Sequence, residues 1–150
     1  MQIYDYIVIG GGSGGIASAN RAGMHGAKVL LIEANELGGT CVNVGCVPKK
    51  VMWQASPILE TIERDASSYG IQADLKNVDF AGLVERREKY IDFLHGAYQR
   101  GLDSNHVEAI KGYATFIDSQ TIEVNGETYR APKILIATGG RASKMTIPGG

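Results

Sequence analysis

The chain has 150 residues, 44% hydrophobic and 21% charged, with a formal net charge of −1. That length fits one domain or a piece of one, and the balance excludes a disordered or fibrous polypeptide. The basic residues do not cluster, no window reaches the roughly 18 apolar residues of a bilayer span, and the N-terminus lacks a basic secretion start. No nucleic-acid or membrane role is therefore expected, and a cytoplasmic setting is.

In chain order, Ile3 to Ile9 is rich in β-branched and aromatic residues and ends at Gly10, which predicts one buried strand. Ile16 to His25 reads as a helix closed by Gly26. Val29 to Ile32 is a second, fully apolar strand, and the alternation predicts a parallel βαβ unit. A helix is expected from near Cys46, with Pro48 in its first turn and Val51, Met52, Ala55, Ile58, Leu59 and Ile62 on one face. Pro57 falls inside that pattern and should kink or break it.

A long second helix follows Asp79, its expected cap, with Leu83, Tyr90, Ile91, Leu94, Tyr98 and Leu102 on one face. The period then changes to two. Asn125-Gly126 between Ile122-Glu123-Val124 and Tyr129 predicts a hairpin, because both turn residues accept positive φ. Lys133 to Thr138 reads as a further buried strand running into Gly139-Gly140. The sum is an α/β domain: a parallel sheet, inserted helices and an antiparallel meander.

Glycine is unusually abundant, 20 residues without a collagen-like period, so it serves particular turns. Gly10, Gly12 and Gly15, in Gly10-Gly11-Gly12-Ser13-Gly14-Gly15, have G-x-G-x-x-G spacing between a strand and a helix. The first allows the sharp turn, the second lets a pyrophosphate approach the backbone, and the third lets helix and strand pack closely. The helix N-terminus then offers N–H groups to phosphates. Glu33, 18 residues past Gly15, is placed to accept from a ribose and to repel a 2′-phosphate. FAD or NAD is the reading.

The only cysteines are Cys41 and Cys46. In a regular helix their Cα atoms would lie roughly 8–9 Å apart, against the about 4.4–6.8 Å a disulfide needs. If they bridge, the segment between them is irregular, and Gly39 and Gly45 supply the freedom. Cys46, at a helix start near Lys49 and Lys50, has its thiolate favoured. Zinc is the rival reading, but it requires four ligands, and His25, His95 and His106 show no ligand spacing. Two inert buried thiols are the third reading.

The sixteen residues Gly38 to Trp53, GGTCVNVGCVPKKVMW, closely resemble the redox-active segment of the glutathione reductase branch of the FAD-dependent pyridine nucleotide–disulfide oxidoreductases. The resemblance runs on through Ala137-Thr138-Gly139-Gly140 and makes residues 1–150 the N-terminal part of a Rossmann-like FAD-binding domain, about the first third of a member.

It implies that Cys41 is the interchange thiol that bonds glutathione and that Cys46 is the thiol against the flavin. The resemblance makes these two, with Lys49 placed close to the flavin ring, the catalytic residues. It puts FAD at Gly10, Gly12, Ser13, Gly14, Gly15, Glu33, Thr40, Cys41, Lys49, Ala114, Thr138 and Gly139. Glutathione disulfide is implied at Ser13, Asn20 and Tyr98. Asn20 departs from the arginine of animal members and is closer to bacterial ones, while Tyr98 also fits the apolar stripe of its helix.

NADPH as electron donor and a homodimer are implied for the parent, with no metal. A second glycine fingerprint and a histidine–glutamate pair, which members carry, are not found here, and Thr146 to Gly150 reads as a connector. The 150 residues alone are thus expected not to turn over. Dihydrolipoamide dehydrogenase shares the cysteine spacing but usually shows Pro-Ser-Lys at Pro48-Lys49-Lys50. A non-catalytic dinucleotide-binding or thiol-sensor module is the other alternative.

Overall fold

The computed structural model describes residues 1–148, so the end of the connector-like tail, Gly149 and Gly150, lies outside the described residues. A parallel sheet forms the centre. Its strands are β2 (Tyr6–Ile9), β3 (Val29–Glu33), β4 (Val107–Lys111) and β8 (Ile134–Ile136), in the spatial order β4-β3-β2-β8. β2 is in register with β3 from Tyr6 opposite Val29 to Ile9 opposite Ile32.

Parallel strands covered on both faces read as unbroken apolar runs, and Val29 to Ile32 is such a run, buried throughout. The two-residue period of a strand divides these side chains between two cores. Val8, Val29, Leu31 and Val107 pack with Ile16, Ala19 and Leu102 of the helices. Ile7, Leu30 and Ile32 pack with Ile122, Val124 and Tyr129 of a second sheet and with Tyr4 and Ala131, which adjoin it. Fully burying each such aliphatic side chain contributes about 1.5–3 kcal/mol.

The second sheet has the order β1-β7-β6-β5, from β1 (Gln2–Ile3), β5 (Thr115–Asp118), β6 (Thr121–Val124) and β7 (Glu127–Arg130). β5, β6 and β7 are the expected meander, and β1 adds to it in parallel beside β7. Asn125 (φ 55°) and Gly126 (φ 83°) make the predicted hairpin turn.

The single strand expected over Ile3 to Ile9 is instead two strands in different sheets. The chain changes sheet at Tyr4-Asp5, where the Tyr4 N–H donates to the Arg130 carbonyl and the Asp5 N–H to the Lys28 carbonyl, both at 2.9 Å. The buried Tyr4 ring fills the corner, and its hydroxyl donates to Glu108 at 2.6 Å. Lys133 to Thr138 is also corrected: only Ile134–Ile136 is strand, half-buried at the sheet edge, with Ile136 62% exposed. β4 was hidden in the sequence because Glu108 and Lys111 interrupt its apolar run.

Helix α1 (Ser13–Met24) begins three residues earlier than expected, since the glycine turn is itself its first turn. Helices α2 (Gly39–Asn43) and α3 (Cys46–Glu60) follow β3. α3 does not break at Pro57. It continues to Glu60, then widens into a π turn over Thr61–Asp65 and a 3₁₀ turn over Ala66–Tyr69. Pro57 is exposed, so water can satisfy the Trp53 carbonyl that loses its helical partner. Ile58 leaves the expected stripe and is 61% exposed, while Leu59 and Ile62 stay half-buried.

Helix α4 (Phe80–Ser104) is capped as predicted, the Asp79 carboxylate accepting from the Gly82 N–H at 2.9 Å. Its stripe buries Ile91 and Leu102, but Tyr90 is exposed.

Two neighbouring glycines should respond in opposite ways to alanine. A Cβ on Gly15 would lie 1.8 Å from the Gly10 carbonyl oxygen, whereas one on Gly14 meets nothing within 4 Å. Gly15→Ala should lose about 3 kcal/mol or more in urea unfolding. Gly14→Ala should be neutral or gain up to about 1 kcal/mol. Equal midpoints for the two variants would contradict the packing described.

Candidate active site

Three pieces of backbone meet at the end of β2. Gly10 turns at φ 110°, a left-handed conformation open to glycine, and its N–H donates to the Ile32 carbonyl at 2.8 Å. The Gly38 N–H donates to the Gly11 carbonyl, also at 2.8 Å. Gly39 comes so near that a Cβ on it would lie 2.7 Å from Gly12 Cα. The third glycine of the fingerprint, Gly15, is the one pressed against Gly10, as the spacing implied.

Glu33 ties the turn to the strand. One carboxylate oxygen accepts from the Gly11 N–H at 2.6 Å and the other from the Asn35 N–H at 2.8 Å. Each oxygen has a second lone pair, so acceptor capacity for a ribose is left. α1 begins without a side-chain cap among the described residues, so its first N–H groups, around Ser13 and Gly14, have no partner within the helix. A Cβ on Gly12 would meet only Gly39 Cα at 3.7 Å. This open, donor-rich cradle fits a dinucleotide pyrophosphate.

The thiols stand immediately beyond it. Cys41 lies in α2 and Cys46 opens α3. Between them the helix is interrupted, with Val44 at φ −138°, ψ 2° and Gly45 at φ −123°, ψ −107°. This is the irregular segment a disulfide requires. A Cβ on Gly45 would lie 2.9 Å from the Thr40 carbonyl oxygen, so a bulkier residue there would push the two helices apart.

Both cysteines are free thiols, Cys41 half-buried and Cys46 exposed. Hydrogen bonding between the sulfurs moves their pKa values apart. The Cys41 S–H donates to the Cys46 sulfur, which holds Cys46 below the usual thiol value and Cys41 above it. The backbone N–H of Cys46 and the Lys49 and Lys50 charges lower Cys46 further. Lys49 and Lys50 line an open groove of about 330 Å³ with Trp53, which is 65% exposed.

The remaining candidates are more dispersed. Ala137 donates its N–H to the Ile9 carbonyl at 2.8 Å, which sets Thr138 and Gly139 (φ 71°) beside the glycine turn. The Gly112 N–H donates to the Glu33 carbonyl at 2.9 Å, bringing the segment that leads to half-buried Ala114 to the same end of the sheet. Asn20 lies two turns along α1 from Ser13, and its Oδ1 accepts from Asn105 at 2.8 Å. Tyr98 packs on the helix-side core. Neither residue is hydrogen-bonded to the cysteine segment.

Sequence reading passed over Asn43, whose Nδ2 donates to the carbonyls of Gly39 (2.9 Å), Leu37 (3.2 Å) and Glu36 (3.3 Å). His95, weighed in the sequence only as a zinc ligand and set aside, has its Nε2 2.6 Å from Asn43 Oδ1. The one signal was an asparagine inside the cysteine motif; nothing local marks His95. Among the described residues, no three or more His, Cys, Asp or Glu side chains gather as metal ligands. None of the described helices is long and apolar enough to cross a membrane.

A dinucleotide cradle joined to a coupled thiol pair defines a class, and residues 4–150 match the pyridine nucleotide-disulphide oxidoreductase family. The chain belongs to that family. Its relatives include the glutathione reductase of Yarrowia lipolytica, 48% identical over 160 residues, covering 97% of this chain and 34% of that protein. The glutathione reductase of Schizosaccharomyces pombe is 42% identical over 146 residues, covering 93% of this chain and 32% of that protein. The chain therefore spans about a third of the length of these curated relatives.

Alkylation rates against pH will read the thiol asymmetry. Cys46 should become reactive at lower pH than a free thiol, about 8.5, and Cys41 at higher pH. In Cys41→Ala the donor to Cys46 is lost, so the Cys46 midpoint should rise. An unchanged Cys46 profile in that variant would contradict the coupling.

Proposed function

We propose that these residues are the N-terminal, FAD-binding and disulfide-bearing part of an NADPH-dependent glutathione-disulfide reductase, acting as a cytoplasmic homodimer. The observation that carries this reading is the contact of Gly39 with Gly12, which sets a coupled thiol pair directly beside a dinucleotide cradle. The names of the two relatives support glutathione as substrate.

When bound, FAD would supply a carrier of two electrons between a pyridine nucleotide and the protein disulfide. On this reading Gly10, Gly12, Ser13, Gly14 and Gly15 hold its pyrophosphate and Glu33 its ribose. Thr40, Cys41, Lys49, Ala114, Thr138 and Gly139 complete the binding surface. Ser13, Asn20 and Tyr98 are assigned to glutathione, with Asn20 offering its Nδ2 because Asn105 holds its Oδ1.

The reduced pair carries one thiol and one thiolate. Cys41, as thiolate, attacks one sulfur of glutathione disulfide, forming a mixed disulfide and releasing one glutathione thiolate. The Cys46 thiolate then attacks the Cys41 sulfur, restoring the Cys41–Cys46 disulfide and releasing the second. Two electrons pass to the two glutathiones, and the proton of the reduced pair leaves with one of them. Since the Cys41 pKa is raised, this sequence needs a base to free its thiolate.

The full-length protein should be yellow, should develop a long-wavelength absorption shoulder on two-electron reduction, and should prefer glutathione disulfide to lipoamide and trypanothione disulfide in competition. Cys41→Ser and Cys46→Ser should each abolish turnover, and residues 1–150 alone should not couple NADPH oxidation to glutathione disulfide. A preference for lipoamide would assign a sister activity. A colourless protein whose thiols ignore NADPH would sink the enzymatic reading.

A further inference from the structure

We propose that His95 is a positioning residue for the thiol pair, holding helix α2, and with it Cys41, through the side chain of Asn43. The inference rests on the reading that Cys41 and Cys46 form a working disulfide.

α2 has only five residues, follows a left-handed Gly38 without a side-chain cap, and buries Val42 alone. So short a helix does not hold itself in water. Asn43, at its last position, supplies the missing constraint. Its two Nδ2 hydrogens serve three carbonyls, one in α2 and two in the preceding loop. Turning the amide over would set Oδ1 against those carbonyls, so the orientation is fixed and Oδ1 must be the acceptor.

The group that meets it, at 2.6 Å, is His95 Nε2, which is therefore the donor. His95 stands on α4, a 25-residue helix anchored in the core at Ile91 and Leu102, with its side chain 22% exposed. Its Nδ1 lies 3.8 Å from Asp92, too far for a hydrogen bond. Among the described residues, the ring's one hydrogen bond is thus with Asn43. A rigid helix reaches across to a short one two residues from the Cys41 sulfur. Without that reach α2 moves more freely, and the effective concentration of one sulfur at the other falls.

The test is the equilibrium of the full chain with dithiothreitol, in which Cys41 and Cys46 form their disulfide by giving two electrons and two protons to the oxidised, cyclic dithiothreitol. The oxidised fraction is read by mass after alkylation. His95→Met, which lacks an N–H, should make the disulfide about tenfold easier to reduce, about 30 mV in potential. His95→Gln, of similar length but with a donor, should stay within about twofold of the natural chain. His95→Ala, if it folds by circular dichroism, should follow Met. Equal equilibria in all chains overturn the inference alone, as does an equal shift in the Met and Gln variants, which would mean that ring bulk rather than donation matters. A natural chain that never closes the disulfide overturns both this inference and the functional reading.

Discussion

Close approach of main chain to main chain is the constraint on which the rest depends. Gly15 lies against Gly10, and Gly39 against Gly12, with no room for a Cβ at Gly15 or Gly39. The first contact lets α1 start directly after the turn that ends β2, with no side-chain cap. The second draws the cysteine helix against the same turn. The glycine turn and the thiol pair become neighbours through this geometry, and the Glu33 bond to the Gly11 N–H locks the arrangement to the sheet. Side chains could not substitute for these contacts, because any carbon beyond Cα would separate the elements they join.

Electrostatics then makes two chemically identical residues unequal. Cys46 draws on the Cys41 proton, its own backbone N–H and two lysines, while at Cys41 the neighbouring sulfur and burial outweigh that same N–H and Lys50. Much of the asymmetry lies in the pair itself, so it disappears when the sulfurs join and returns when they part. The contact that pairs the sulfurs is thus also what sets them apart chemically.

Features written in local chemistry were legible in the sequence: the tight glycine turn after the first strand, the Asp79 cap, the Asn125-Gly126 turn and the break between the cysteines. Those decided at a distance were not. Ile3 to Ile9 has the composition of one strand, and only the positions of Lys28 and Arg130 divide it between two sheets. β4 carries Glu108 and Lys111 because it lies at an edge, which weakens its apolar signal. Pro57 announces a break that the solvent-facing side of α3 absorbs. Around the thiols, the cysteine motif named Cys41, Cys46 and Lys49 as candidates, but the Asn43–His95 bond joins residues with no shared pattern, and only packing reveals it.

The crossing of the chain at Tyr4-Asp5 bears on biosynthesis. β1 pairs residue 2 with residue 129, so β1 is synthesised 127 residues ahead of its partner strand. Until then β1 must wait unpaired, while β2 and β3 already have each other. Such non-local pairing slows assembly, and an open strand invites the wrong neighbour. The order of vectorial synthesis thus opposes the order of the smaller sheet, and that sheet is where chaperone dependence of the nascent polypeptide would be concentrated.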